Sequence, residues 1–185
     1  MYFTNVLITS ILAATAAAMP RPNMVARDAT STTSSTSASS TSSGSGSVQI
    51  VNNLDTNVYL WSTSSTSGGM QTLNSGGGTY SEEWQTNPDG GGISIKLSTT
   101  DNEDSVLQFE YTEEGETLYW DLSSINLESD SDFITSGFSV VPSDSSCTTA
   151  TCAAGDTNCA ASYQHPDDTD TNSCSTSAQY VVTLG

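Results

Sequence analysis

Apolar residues recur at every second position along most of the chain after residue 47. Val48-Gln49-Ile50-Val51 and Val58-Tyr59-Leu60-Trp61 alternate, as do Ile93-Ser94-Ile95-Lys96-Leu97-Ser98 and Leu107-Gln108-Phe109-Glu110-Tyr111. A period of two gives an extended strand one apolar face and one polar face. Leu118-Tyr119-Trp120-Asp121-Leu122 and Phe138-Ser139-Val140-Val141 read as more deeply buried strands, and Tyr180-Val181-Val182-Thr183-Leu184 closes the chain. Between these runs lie SGGM, NSGGGT, NPDGGG and EEGET, whose Gly, Asn and Asp favour turns. No amphipathic helix of useful length is visible. Frequent Gly-rich turns between short strands predict an all-β domain over 48–185, an antiparallel sandwich or flattened barrel.

Upstream of that domain the pattern changes twice. Residues 1–18 join an apolar stretch, Val6 to Leu12, to the small residues Ala13-Ala14-Thr15-Ala16-Ala17-Ala18, which is the form of a secretory signal peptide. Residues 19–28 leave open a short pro-segment ending after Arg27 or a plain mature N-terminus. Residues 29–47 are Ser or Thr at fifteen of nineteen positions. Such a stretch has nothing apolar to bury and reads as a disordered linker, open to O-glycosylation in a secreted protein.

Charge narrows the partners. All 21 acidic residues lie at or after Asp28, where Lys96 is the only basic side chain. Nucleic acids and anionic membranes need cationic patches, so neither is expected as a partner. The four cysteines, Cys147, Cys152, Cys159 and Cys174, form C-x4-C-x6-C-x14-C behind the signal. An even set in an oxidising compartment reads as two disulfides; zinc would want a CxxC pair and more than the single His165.

The order IVNN-x4-VYLW, MQTLNSGG, PDGGGISIKL, LQFEY, YWDLSSI, GFSVVPS and the closing CAASYQHPDDTDTNSC resembles the thaumatin-like fold family. It is closest to the small fungal secreted members called antigenic thaumatin-like proteins. The resemblance covers 48–185 and implies a nested disulfide pairing, Cys147 with Cys174 and Cys152 with Cys159. Larger relatives staple the segment after IVN to the last residue with a disulfide. Here those positions are Leu54 and Gly185, so the two ends should meet without one. Larger relatives also insert a disulfide-rich lobe where this chain has only AAGDTN, between Cys152 and Cys159.

In those relatives a cleft between core and lobe carries an Arg, a Glu and three Asp, and is associated with binding β-1,3-glucan and weak glucanase activity. The resemblance puts Lys96 near the Arg, Gln108 at the Glu, Asp121 at the first Asp, Asn126 at the second and Asp167 or Asp168 at the third. An amide cannot act as a general acid. Without the lobe, carboxyls on an open surface should stay wet, so desolvation should not raise their pKa values, and mutual repulsion should raise them only somewhat because salt screens it. The expected binding residues are therefore Asp121, Asp167, Asp168 and Lys96, with no catalytic residue, metal or cofactor.

Trp61 and Trp84 are the candidate sugar-stacking aromatics, provided both open onto one sheet face. Asp168-Thr169-Asp170-Thr171-Asn172 mimics half a calcium loop but lacks its turn Gly and its closing Glu, and reads as a solvated acidic loop. His165, beside Pro166, reads as a surface residue. Two functions follow: a secreted, monomeric, non-enzymatic protein contacting cell-wall polysaccharide or a host surface, or a weak β-1,3-glucan hydrolase. The first is favoured.

Overall fold

The computed structural model describes residues 46–185. The signal peptide, the 19–28 segment and the linker up to residue 45 lie outside the described residues. Eleven strands and one short helix follow in chain order. They are β1 (Ser47–Asn52), β2 (Val58–Thr63), β3 (Gln71–Leu73), β4 (Gly78–Glu83), β5 (Ile93–Ser98), β6 (Leu107–Glu114) and β7 (Thr117–Ser123). After these come α1 (Asp132–Ser136), β8 (Phe138–Pro142), β9 (Ala150–Cys152), β10 (Asn172–Ser175) and β11 (Gln179–Leu184). A smaller sheet runs β4-β1-β11-β8-β9 and a larger one β10-β7-β6-β5-β2-β3.

Alternation decides what is buried. Val48 and Ile50 of β1, Val140 of β8, and Tyr180, Val182 and Leu184 of β11 point inward from the smaller sheet. Ile95 and Leu97 of β5, Leu107, Phe109 and Tyr111 of β6, and Leu118, Trp120 and Leu122 of β7 meet them from the larger one. Trp120, Tyr180, Tyr111, Phe109 and Trp84 form a chain of ring contacts between the sheets. The strands missed by the period are β3, β4, β9 and β10. They are short or carry almost nothing apolar, as in GTYSEE and NSCS.

The sandwich is antiparallel in every ladder but one. β1 and β11 run parallel, Val48 beside Tyr180 through Asn52 beside Leu184. The expected meeting of the chain ends is therefore a full ladder. Leu54 is buried, Asn53 N donates to Leu184 O at 2.9 Å, and Gly185 N donates to Gly137 O at 2.9 Å. A Cβ on Gly185 would come within 3.0 Å of Leu54 Cδ2, so apolar contact stands where larger relatives have a staple.

Asn52, the Asn of the IVN motif, has a structural task. Its side chain is fully buried. Nδ2 donates to Thr56 O at 2.9 Å, Asn74 O at 3.1 Å and Leu73 O at 3.2 Å, while Oδ1 accepts from Leu54 N at 3.1 Å. One amide thus satisfies the turn after β1 and the end of β3. The folded domain also begins slightly before the expected boundary of 48. Gly46 N donates to Thr176 O at 2.8 Å, and a Cβ there would strike Ala178 O, Thr176 O and the Trp84 indole nitrogen.

The disulfides pair Cys147 with Cys174 and Cys152 with Cys159, as the resemblance implies. The first ties the loop after β8, in the smaller sheet, to β10 of the larger one. The second pins the 153–158 loop to β9.

Two outcomes follow from this packing. Removing Tyr180–Gly185 deletes three fully buried side chains and a central strand. At roughly 1.5–3 kcal/mol per side chain the loss rivals the whole stability of a domain, so the truncated chain should show no cooperative thermal transition. A melting temperature equal to that of the full chain would refute the parallel ladder. Asn52→Ala should cost about 2–4 kcal/mol in chemical denaturation, because buried carbonyls lose their donors.

Candidate functional site

The outward face of the larger sheet is polar, and its register sets two rows of side chains. One row is Thr63, Ser94, Glu110 and Asp121; the next is Trp61, Lys96, Gln108 and Ser123. Asp121 lies where two adjoining depressions meet. One, of about 330 Å³, is lined by Thr63, Ser94, Glu110, Tyr119 and Asp121 among others. The other, of about 460 Å³, is lined by Asp121, Asn158, Tyr163, Gln164, Asp168 and Asp170 among others. Together they form a groove whose floor is β6 and β7 and whose wall is the segment from residue 158 to 172.

That wall is fixed by hydrogen bonds. Tyr163 N donates to Leu122 O and Ser124 N to Tyr163 O, both at 2.8 Å, so Tyr163 adds a short parallel bridge to β7. The Ser124 and Ser162 hydroxyls bond at 2.7 Å in the interior. Gln164 Nε2 donates to Cys159 O and Ser162 O. Asp168 Oδ2 accepts from Gln164 N at 2.7 Å and from His165 N at 2.9 Å, and these bonds, the one from His165 first, hold its carboxyl below the usual range. Asp168 lines the groove, but this oxygen serves as a loop brace.

The electrostatic centre is the Glu110–Asp121 pair. The residues are directly opposite in the β6–β7 ladder. Cross-strand neighbours have Cβ atoms about 4.5–5.5 Å apart. Burial, then the charge of Glu110, pushes Asp121 up to about 7. Burial also raises Glu110, with the Ser94 hydroxyl and the Lys96 ammonium pulling the other way. Asp121 Oδ1 and Thr63 Oγ1 are buried without a protein hydrogen-bond partner.

One residue is added here and one expectation is corrected. Gln108 stands where the resemblance puts the relatives' Glu, while Glu110, two residues on and not singled out from the sequence, shares the outward face of β6 and faces Asp121. Gln108 faces Ser123 instead, and its amide oxygen accepts from Ser94 Oγ at 3.1 Å. Nor is the floor too wet to perturb a carboxyl, since burial is the largest cause of the shift at Asp121. The sequence held a signal for Glu110. The β6–β7 hairpin turns at Gly115-Glu116, with Gly115 at φ 63°. Counting back from that turn, Glu114 faces Thr117 and Glu110 faces Asp121.

Of the other expected residues, Asp121 and Asp168 share the groove, while Lys96 and Asp167 lie outside its lining. Lys96 is drawn to Glu103, at 2.6 Å. Asp167 is exposed in the turn before Asp168, and Asn126 is exposed elsewhere. The proposed Trp platform does not form. Trp61 is only 8% exposed, in the row beside Lys96. Trp84 packs edge-on against Tyr111 and Tyr180, and its Nε1 donates to Thr176 O at 2.8 Å. The aromatic surfaces of the groove are Tyr119, 41% exposed, and Tyr163, whose hydroxyl bonds Thr171 Oγ1 at 2.8 Å. His165 is exposed on the wall.

Comparison with known proteins agrees with this architecture. A family model described as Blastomyces yeast-phase-specific protein (Bys1) matches residues 35–185. The secreted thaumatin-like protein calA of Emericella nidulans is 53% identical over 141 residues, 76% of this chain and 82% of that one. An antigenic thaumatin-like protein of Arthroderma benhamiae is 37% identical over 130 residues, 70% of this chain and 65% of its own length. Among solved structures, the protein elicitor MoHrip2 of Magnaporthe oryzae superposes with a TM-score of 0.62 at 25% identity, over 75% of this chain and 98% of that one. With its sheets, its disulfides and a family match running through the whole folded domain, this chain belongs to the Bys1 family of fungal thaumatin-like proteins.

Proposed function

We propose that this secreted thaumatin-like protein binds neutral cell-wall polysaccharide of the β-glucan type in the groove over β6 and β7, without cleaving it. One observation carries the reading: the exposed ring of Tyr119 stands beside a half-buried pair of carboxyl groups. A sugar ring offers an apolar C–H face to an aromatic ring and hydroxyls to polar side chains. Tyr119 and Tyr163 supply the first; Glu110, Asp121, Thr63 and Ser94 supply the second. With 21 acidic residues against three basic ones, the chain would repel an anionic polymer.

A second reading, weak glycoside hydrolysis, rests on Asp121, whose carboxyl is held up to about 7 as a general acid requires. Geometry speaks against it. Glycosidases flank the scissile bond with two carboxyls, one on each side. Glu110 and Asp121 are neighbours on one sheet floor and approach a ligand from the same side. The braced Asp168 is held ionised by its backbone donors.

Binding to laminarin should be measurable by calorimetry or co-sedimentation and should change little between low and high salt. Tyr119→Ala should weaken it by about three- to ten-fold, the worth of one aromatic contact. Unchanged affinity in that variant would remove the groove from the binding site. The wild-type protein should release no reducing sugar from laminarin. Turnover that is lost in Asp121→Ala would replace this reading with the hydrolase.

A further inference from the structure

We propose that Glu110 and Asp121 share one proton across the groove floor and act as a pH gate on it, admitting neutral sugar when singly protonated and closing to it when doubly ionised. This rests on the polysaccharide reading of the groove and assigns its regulation. The geometry comes first. The two carboxyls are directly opposite on adjacent strands, both half-buried on the same face, and both line the same depression. Like charges directly opposite in a ladder repel. The Lys96 ammonium relieves Glu110 only in part, since burial outweighs it. Lys96, from β5, is in the next row and is held by Glu103.

Tyr111 of β6 also lines the groove, with its hydroxyl donating to Glu82 Oε1, and the other titratable groups come from β7 and the wall. Tyr119 stands on β7, and Tyr163, His165, Asp168 and Asp170 line the wall. Asp168 is braced by backbone N–H groups and remains an anion, adding negative charge to the same rim. A proton held between Glu110 and Asp121 is therefore the local way to remove one negative charge. In that state the pair offers a sugar hydroxyl one O–H donor and several acceptor oxygens. With the proton gone the pair offers acceptors only. Interacting carboxyls lose their protons in two separated steps that belong to the pair.

The direction with pH follows from the raised carboxyls. Asp121, up to about 7 in the folded state, binds its proton more tightly than it does in the unfolded chain. The pair thus favours the folded state least at high pH. Its contribution to stability is lost as pH rises from the usual carboxylate range through neutrality. Binding should follow the same proton. One pH unit above the midpoint only about a tenth of molecules keep it, so affinity should fall about ten-fold.

The test is carboxyl-detected NMR on the folded protein from pH 3 to 9, with laminarin affinity measured at pH 5 and pH 8. Asp121 should keep its proton to near neutrality in the wild type and release it at lower pH in Glu110→Gln. His165→Gln should leave the Asp121 titration in place, excluding imidazole as its source. Affinity should fall about ten-fold from pH 5 to pH 8, and Asp121→Asn should flatten that profile. Titration of Asp121 in the ordinary carboxylate range, or a midpoint indifferent to Glu110→Gln, overturns the shared proton. A normal two-step titration with no laminarin binding at either pH overturns the gate by removing its ligand, and separates that failure from the first.

Discussion

Parallel pairing of β1 with β11 joins the first strand of the domain to the last, so every other element lies inside one circuit of chain. Such closure is entropically expensive, because the ends must find each other across the whole domain. Burial offsets that cost: Val48, Ile50, Tyr180, Val182 and Leu184 are all fully inaccessible to solvent. At the mouth of the ladder, Leu54 packs against Gly185 and two backbone bonds close the seam. A covalent staple is dispensable where side chains of the right size already fill the space. The Cys147–Cys174 disulfide adds an independent tie, this one between the two sheets, and shortens the loops available to the unfolded chain.

The groove inherits its rigidity from this frame. β6 and β7 present their apolar residues to the core, which forces Glu110 and Asp121 outward on the opposite side of the same strands. The wall beside them contains no regular helix or long strand. It is held by Cys152–Cys159 at one end, by the Tyr163 bridge in the middle and by the Asp168 brace beyond. A short pinned loop thus suffices to wall the groove. It shades the floor enough for burial to raise two carboxyls.

Acidity elsewhere is tolerated because it is spread over exposed loops and strand edges, where water and salt screen it. Glu110 and Asp121 depart from that rule. They are brought together by a ladder whose register is dictated by the hairpin turn, and they cannot move apart without slipping β6 against β7. A slip of one residue would send Phe109 and Trp120 into solvent. The core thus holds an unfavourable charge pair in place.

The amino-acid sequence by itself determined the class of this protein. Two-residue alternation in Val48–Val51, Ile93–Ser98 and Leu107–Tyr111 is legible because apolar side chains must share one face of a half-buried strand. Motif order placed the family and, through the resemblance, implied the disulfide pairing, while the Cys count gave two bridges, since those features are linear along the chain. Asp121 could be named as a groove residue from its motif. The strands β4 and β10 were not legible, because edge strands can be built from Ser, Thr and Glu. The parallel sense of β1 and β11 was not legible either, because strand direction is settled by what pairs across the whole fold. Which Trp is buried, and that Tyr119 and Tyr163 flank the acid pair, depended on the sheets and loops that cover each ring. Glu110 stood in between: its partner could be counted from the Gly115 turn, yet only tertiary packing lowered the water around it enough to raise its pKa. A carboxyl's pKa is a property of its surroundings, and those surroundings come from residues distant in the chain.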